Sequence, residues 1–138
     1  MYYEGILQLR NYSREVLNFV KSAINKKDNV VISKEVKVKN GVDIYLSSQH
    51  FLQDLGKKLQ KRFGGELKKS FKLYKVDRQT SKRVYRVNVL FRLPKFKPGD
   101  VITYKGEKIK VVSIKNKVFG KNVKTGEKLM IKFSELNF

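Results

Sequence analysis

Apolar and polar residues alternate over positions 3–10, with Gly5, Leu7 and Leu9 on one face and Glu4, Gln8 and Arg10 on the other. A period of two predicts a half-buried strand. The period then changes. Val16, Leu17, Val20, Ala23 and Ile24 recur at helical spacing, which predicts an amphipathic helix over 13–26, capped by Asn11 or Ser13. Val30, Ile32, Val36 and Val38 return to alternation, and Asn40-Gly41 predicts a two-residue hairpin whose central positions both take positive φ. Val42, Ile44 and Leu46 continue as the partner strand. A second helix, capped by Ser47 or Ser48, turns Phe51, Leu52, Leu55, Leu59 and Phe63 inward and stops at Gly64-Gly65. Leu67, Phe71 and Leu73 form the apolar face of the next strand. A polar loop over 77–82 follows, and Tyr85, Val87, Val89, Phe91 and Leu93 give the last strand an unbroken alternating face.

The order β-α-β-β-α-β-β predicts an α+β domain over residues 1–94, with helices on one face of a mainly antiparallel sheet. Pro94 and Pro98 mark the boundary. Beyond it, short alternating runs at 101–104, 108–114, 117–121 and 128–133 are separated by turn signals at Lys105-Gly106, Asn116 and Thr125-Gly126, with no helical period. Residues 95–138 therefore predict a small all-β, SH3-like barrel, marginal alone and packed on the first domain.

Charge changes the picture. The 138 residues carry 32 Lys and Arg against 12 Asp and Glu, a formal net charge of +20. With 41% hydrophobic residues a core can form, so the chain is not a disordered basic tail. Such a surface repels itself and calls for an anionic partner: nucleic acid, anionic membrane or acidic protein. Residues 57–92 hold thirteen basic side chains and two acids, and residues 95–138 eleven lysines and four acids. That distribution is the footprint of a nucleic-acid binder. The absence of cysteine excludes disulfides, thiol catalysis, iron–sulfur clusters and Cys-ligated zinc. No apolar run reaches the ~18 residues of a membrane span, so a cytoplasmic protein is expected.

No enzyme is indicated. His50 is the lone histidine, at a helix start, and no Ser–His–Asp set can be built around it. Asp43, Asp54, Asp77 and Asp100 are scattered, and Gly64-Gly65 follows a helix instead of opening one. No catalytic residue, metal ligand or cofactor is expected. The RNA-contact candidates are more definite. Lys57, Lys58, Lys61 and Arg62 fill the polar face of the second helix. Lys68, Lys72 and Tyr74 alternate away from the apolar face of their strand, as Arg86 and Arg92 do on its hairpin partner. Arg78, Lys82 and Arg83 crowd the tip. The guanidiniums of Arg78, Arg83 and Arg86 suit bidentate phosphate contact. Lys69 joins this set, and Lys105, Lys108, Lys117, Lys121 and Lys124 supply phosphate contacts from the barrel. Tyr45 and Tyr74 point outward and are the candidates for stacking on a base, although half-buried tyrosines are commoner. No RNP-type aromatic motif or GXXG loop occurs, which favours phosphate contacts over sequence readout.

Leu7-Gln8-Leu9-Arg10, Asn40-Gly41-Val42-Asp43-Ile44-Tyr45, Lys69-Ser70 before Lys72-Leu73, Asp77-Arg78-Gln79-Thr80 and Tyr85 follow one another in this order. Residues 2–11 and 38–102, which contain them, resemble the core of the archaeal Nmd-three family, homologues of the eukaryotic adaptor for nuclear export of the large ribosomal subunit. The resemblance implies an α/β module also seen in a ribosomal protein, followed by the SH3-like half of translation factor 5A. It also implies a monomeric, non-enzymatic factor that binds rRNA on the joining face of the large ribosomal subunit during late maturation or quality control. The factor-5A-like part would lie near the tRNA exit site. Family members normally open with a zinc domain of paired Cys-x-x-Cys motifs, so the cysteine-free chain resembles a member lacking that domain. It shows neither the leucine-rich export signal nor the basic import tail of eukaryotic members, so maturation is implied over export. The residues alone leave two alternatives: a general RNA- or tRNA-binding module, and a basic adaptor for an acidic ribosome-associated protein.

Overall fold

A computed structural model describes residues 2–136; Met1, Asn137 and Phe138, at the ends of the two expected domains, lie outside the described residues. Strand β1 (Gly5–Arg10) is followed by α1 (Arg14–Asn25), β2 (Ile32–Val38), β3 (Gly41–Leu46), α2 (Gln49–Phe63), β4 (Glu66–Val76) and β5 (Arg83–Arg92). Of the two serine or asparagine choices at each helix start, Ser13 and Ser48 are the caps. Their hydroxyls accept the backbone N–H groups of Val16 (3.3 Å) and Phe51 (3.2 Å). Each thereby satisfies a donor that the helix itself leaves orphaned.

The five strands form one mixed sheet in the order β2-β3-β1-β5-β4. β1 runs antiparallel to β3 and parallel to β5, and the other neighbours are antiparallel. The register sets Leu7 opposite both Ile44 and Val89. Leu7, Leu9, Val42, Ile44, Leu46, Val87, Val89 and Phe91 thus share one face. The helices lay Val16, Val20, Ile24, Leu52, Leu55 and Leu59 on it, and all are buried in one cluster. The expected layer of helices on one side of a mainly antiparallel sheet is present.

Two local expectations are corrected. The β2–β3 turn centres on Lys39-Asn40, since Val38 already pairs with Gly41, and only Asn40 has positive φ (62°). Gly41 opens β3, where a Cβ would lie 2.2 Å from the carbonyl oxygen of Leu9, so glycine is required there by the closeness of β1. Secondly, Phe71, Leu73 and Tyr85 lie on the helix side by register, yet they are exposed. β1 pairs with β5 only from Val87 onward, so the β4–β5 hairpin overhangs the body.

The remaining strands, β6 (Val101–Tyr104), β7 (Glu107–Ile114), β8 (Val118–Asn122) and β9 (Lys128–Ile131), form a four-stranded antiparallel sheet in chain order. Lys105 and Gly106 both take positive φ (50° and 77°), the conformation a tight hairpin needs. The last run, expected to reach 133, leaves the sheet at Ile131. A 3-10 turn (Phe133–Glu135) then tucks Phe133 beside Ile109, Val111, Val118 and Ile131. The sheets meet at the end of α2, where the Gly65 N–H donates to the Lys115 carbonyl (2.9 Å) and Gly64 abuts the Ile114 carbonyl.

Candidate nucleic-acid interface

From Lys68 to Arg86 the hairpin carries eight basic side chains and one acid, Asp77. The acid is turned to its own backbone: the Asp77 carboxylate accepts the Gln79 N–H (2.9 Å), and its carbonyl accepts the Ser81 N–H (2.8 Å). This Asx-type turn fixes the tip and leaves Arg78, Lys82 and Arg83 exposed. β4 is the sheet edge, and among the described residues β5 ahead of Val87 has β4 as its only strand neighbour.

The register divides the strand candidates between two faces. Lys68 lies opposite Leu90 and Lys72 opposite Arg86, on the face away from the helices. Lys69 lies opposite Val89, on the helix side. On the outer face a β-bulge between Leu73 and Lys75 releases Tyr74 from the ladder. Its ring then lies against Arg86, whose guanidinium carbon is 3.6 Å from the Tyr74 centroid and 3.8 Å from that of Tyr3. Arg86 also donates to the Tyr3 carbonyl (3.1 Å) and hydroxyl (3.2 Å). Arg86 is therefore held between two tyrosines. Tyr45 meets Tyr3 edge to face (centroids 4.8 Å apart, planes at 77°), with the Lys34 ammonium 5.3 Å from the Tyr45 ring centre. Tyr3 and Lys34 escape sequence reading. Tyr3 has the parity of Leu7, but it precedes β1, where the alternation has not begun.

Lys57, Lys58, Lys61 and Arg62 are exposed on α2, across the sheet from the tyrosine cluster. Arg62 lies over Phe19 and Phe63, its guanidinium carbon 5.3 and 5.7 Å from their centroids. In the second sheet the structure brings Lys108 and Lys124 to one pocket of about 370 Å³. Beside it the buried Asn122 accepts the Lys124 and Thr125 N–H groups (2.8 and 3.1 Å) and donates to Glu107 (2.7 Å). Lys105 lies 5.2 Å from the Tyr104 ring centre, Lys121 is exposed on β8 opposite Lys110, and Lys117 is half-buried. His50 lies 3.6 Å from Asp54, one turn along α2. Among the described residues no three His, Cys, Asp or Glu side chains gather to hold a metal ion, and no helix is long and apolar enough to cross a membrane.

A second basic concentration lies at the opposite end of the five-stranded sheet, and of its members the sequence pattern singled out Arg92 alone. Arg10, Lys37, Lys39, Arg92 and Lys95 line a cleft of about 770 Å³ with Asn11, Tyr12 and Asn40. They arrive one or two at a time from the ends of β1, β2 and β5, so no local density signals them.

A family model described as NMD3, second domain, matches residues 2–93. No curated protein matches the chain.

Proposed function

Because the chain belongs to the NMD3 family, which is associated with the large ribosomal subunit, we propose that it is a non-enzymatic, rRNA-binding factor of that subunit. It acts in late maturation or quality control. The observation that carries this reading is the β4–β5 hairpin, whose eight cations from Lys68 to Arg86 meet two carboxylates, Asp77 turned to its own backbone and Glu66 at the strand start, 3.6 Å from Lys68. A narrow projection of one sign of charge releases counterions wherever it meets a phosphate backbone. Arg78 and Arg83 at its tip offer planar forks for phosphate oxygens. Tyr74 and Tyr45 flank the outer face, and the lysines of residues 95–138 add phosphate contacts. The same reading takes residues 1–94 and 95–138 as two domains of a cytoplasmic monomer, the second an SH3-like barrel akin to that of translation factor 5A.

Co-sedimentation with large subunits, small subunits and joined ribosomes, with tRNA as competitor, tests the reading. The expected result is retention on free large subunits and loss on joining. With about six phosphates neutralised, affinity falls roughly 10³-fold between 50 and 200 mM salt. Equal, tRNA-competed binding to every particle would show a general RNA module instead. An Arg78→Glu/Arg83→Glu variant that binds as tightly as the parent would remove the hairpin from the interface.

A further inference from the structure

We propose that the cleft at the far end of the sheet is a second binding site, for the phosphodiester backbone of RNA, and that one RNA engages both it and the hairpin. The inference rests on the RNA-binding reading above, but on different residues. The cleft is concave, about 770 Å³, and no acidic side chain lines it. Its two arginines are held from behind: Arg10 is paired with Asp43 (2.8 Å) and also donates to the Leu9 carbonyl (3.0 Å), while Arg92 lies 3.8 Å from the buried Glu66. The planar donors of Arg10 are thus held in place before any ligand arrives, which lowers the ordering cost of binding. Lys37, Lys39 and Lys95 are exposed, and among the described residues they form no ion pair. The amides of Asn40 and of Asn11, whose nitrogen already donates to the Leu93 carbonyl (2.7 Å), add neutral polar groups at the wall. An array of arginines and exposed lysines with neutral polar groups between them matches a chain of phosphates joined by riboses.

The two basic regions lie at opposite ends of β5. Nine residue steps separate Arg83 from Arg92, about 30 Å at ~3.3 Å per residue. A strand with one phosphate per ~3.4 Å of stacked length needs about nine nucleotides to cover that distance. A tetranucleotide can occupy only one of the two sites, whereas a 20-mer reaches both.

The test measures anisotropy of labelled oligouridylates of four and twenty nucleotides. It compares the parent chain, Lys37→Glu/Lys39→Glu/Lys95→Glu, and Arg78→Glu/Arg83→Glu. All five positions are exposed, and an unchanged melting temperature verifies folding. On the 20-mer the cleft variant loses three phosphate contacts, so its salt slope drops by about two units. Between 50 and 200 mM salt the parent then loses roughly 15- to 20-fold more affinity than the variant. The tetranucleotide shows a smaller difference for each variant. If the cleft variant keeps the parent's affinity and slope on the 20-mer while the hairpin variant weakens, the cleft assignment is overturned and the RNA reading stands. If the parent binds neither oligonucleotide at 50 mM salt, both fall. Polyglutamate of equal charge serves as a competitor: displacement of the 20-mer as effective as by unlabelled oligouridylate overturns the phosphodiester assignment in favour of an acidic peptide.

Discussion

Replacing Gly64 with alanine should part the two sheets. Gly64 closes α2 at φ 73° and ψ 132°, a region that costs a residue with a side chain about 1–3 kcal/mol. The added Cβ would also lie 2.1 Å from the Ile114 carbonyl oxygen and 2.7 Å from its carbon. Both are main-chain atoms, so no rotamer change relieves the overlap, and the end of α2 must draw away from β7 by about 1 Å, given an ordinary non-bonded contact distance. The Gly65–Lys115 hydrogen bond crosses the same seam at 2.9 Å, and its loss adds about 1 kcal/mol. The sum is about 3 kcal/mol. With an unfolding entropy of ~2.1 cal/mol/K per residue, it lowers Tm by roughly 10 °C for a chain of this length. Gly99→Ala is the control. Gly99 also takes positive φ (99°), but nothing lies within 4 Å of its added Cβ, so only the conformational cost of a side chain there remains, about 1–2 kcal/mol, or some 3–7 °C. Thermal unfolding followed by circular dichroism compares the two. Equal shifts would refute the reasoning, because they would mean that no backbone faces Gly64 across the seam.

Phe71→Ala should change stability by less than about 0.5 kcal/mol, because the side chain is 58% exposed on the overhang. Leu55→Ala, at 1% exposure, should cost about 2–5 kcal/mol; urea midpoints that moved together would show a packed hairpin. Arg86→Lys should destabilise by about 1–2 kcal/mol, nearly as much as Arg86→Ala, since an ammonium cannot fill the slot between two tyrosine rings with a flat cation. Full rescue by lysine would mean that the position needs charge alone.

What could be read from the chain was what is local. Periodicity placed both helices and every strand, because burial of one face imposes a spacing on neighbouring residues. Strand order is not local. Nothing in the text of 83–92 says that β5 slips between β1 and β4, or that it runs parallel to β1. Alternation was followed correctly along β4, but it reports which side a residue takes and not how far the covering helix extends, so Phe71 and Leu73 looked like core. Asn40-Gly41 misled for a related reason: a glycine demanded by a neighbouring strand reads the same as one demanded by a turn. The hairpin cations were legible because they are contiguous. Arg10, Lys37, Lys39 and Lys95 were not, and nothing grouped Arg92 with them, since only the assembled sheet makes them neighbours.

The place of β5 also orders events during synthesis. β1, β2 and β3 are complete once Leu46 has been made, but one side of β1 stays open until Arg92 follows, 46 residues later by number. At ~5–20 residues per second that interval lasts roughly 2 to 9 s. Throughout it the nascent chain holds an unpaired strand carrying Leu7 and Leu9 at the edge of an unfinished sheet, the kind of surface that recruits strands from other chains. The closing strand joins the open rim of β1 as one arm of the β4–β5 hairpin, and its pairing with β1 spans most of residues 5–92, so it is long-range and slow compared with the hairpins. A chain halted within residues 83–92 is the form most prone to aggregate, and the speed with which β4 and β5 pair and dock sets how long that hazard lasts.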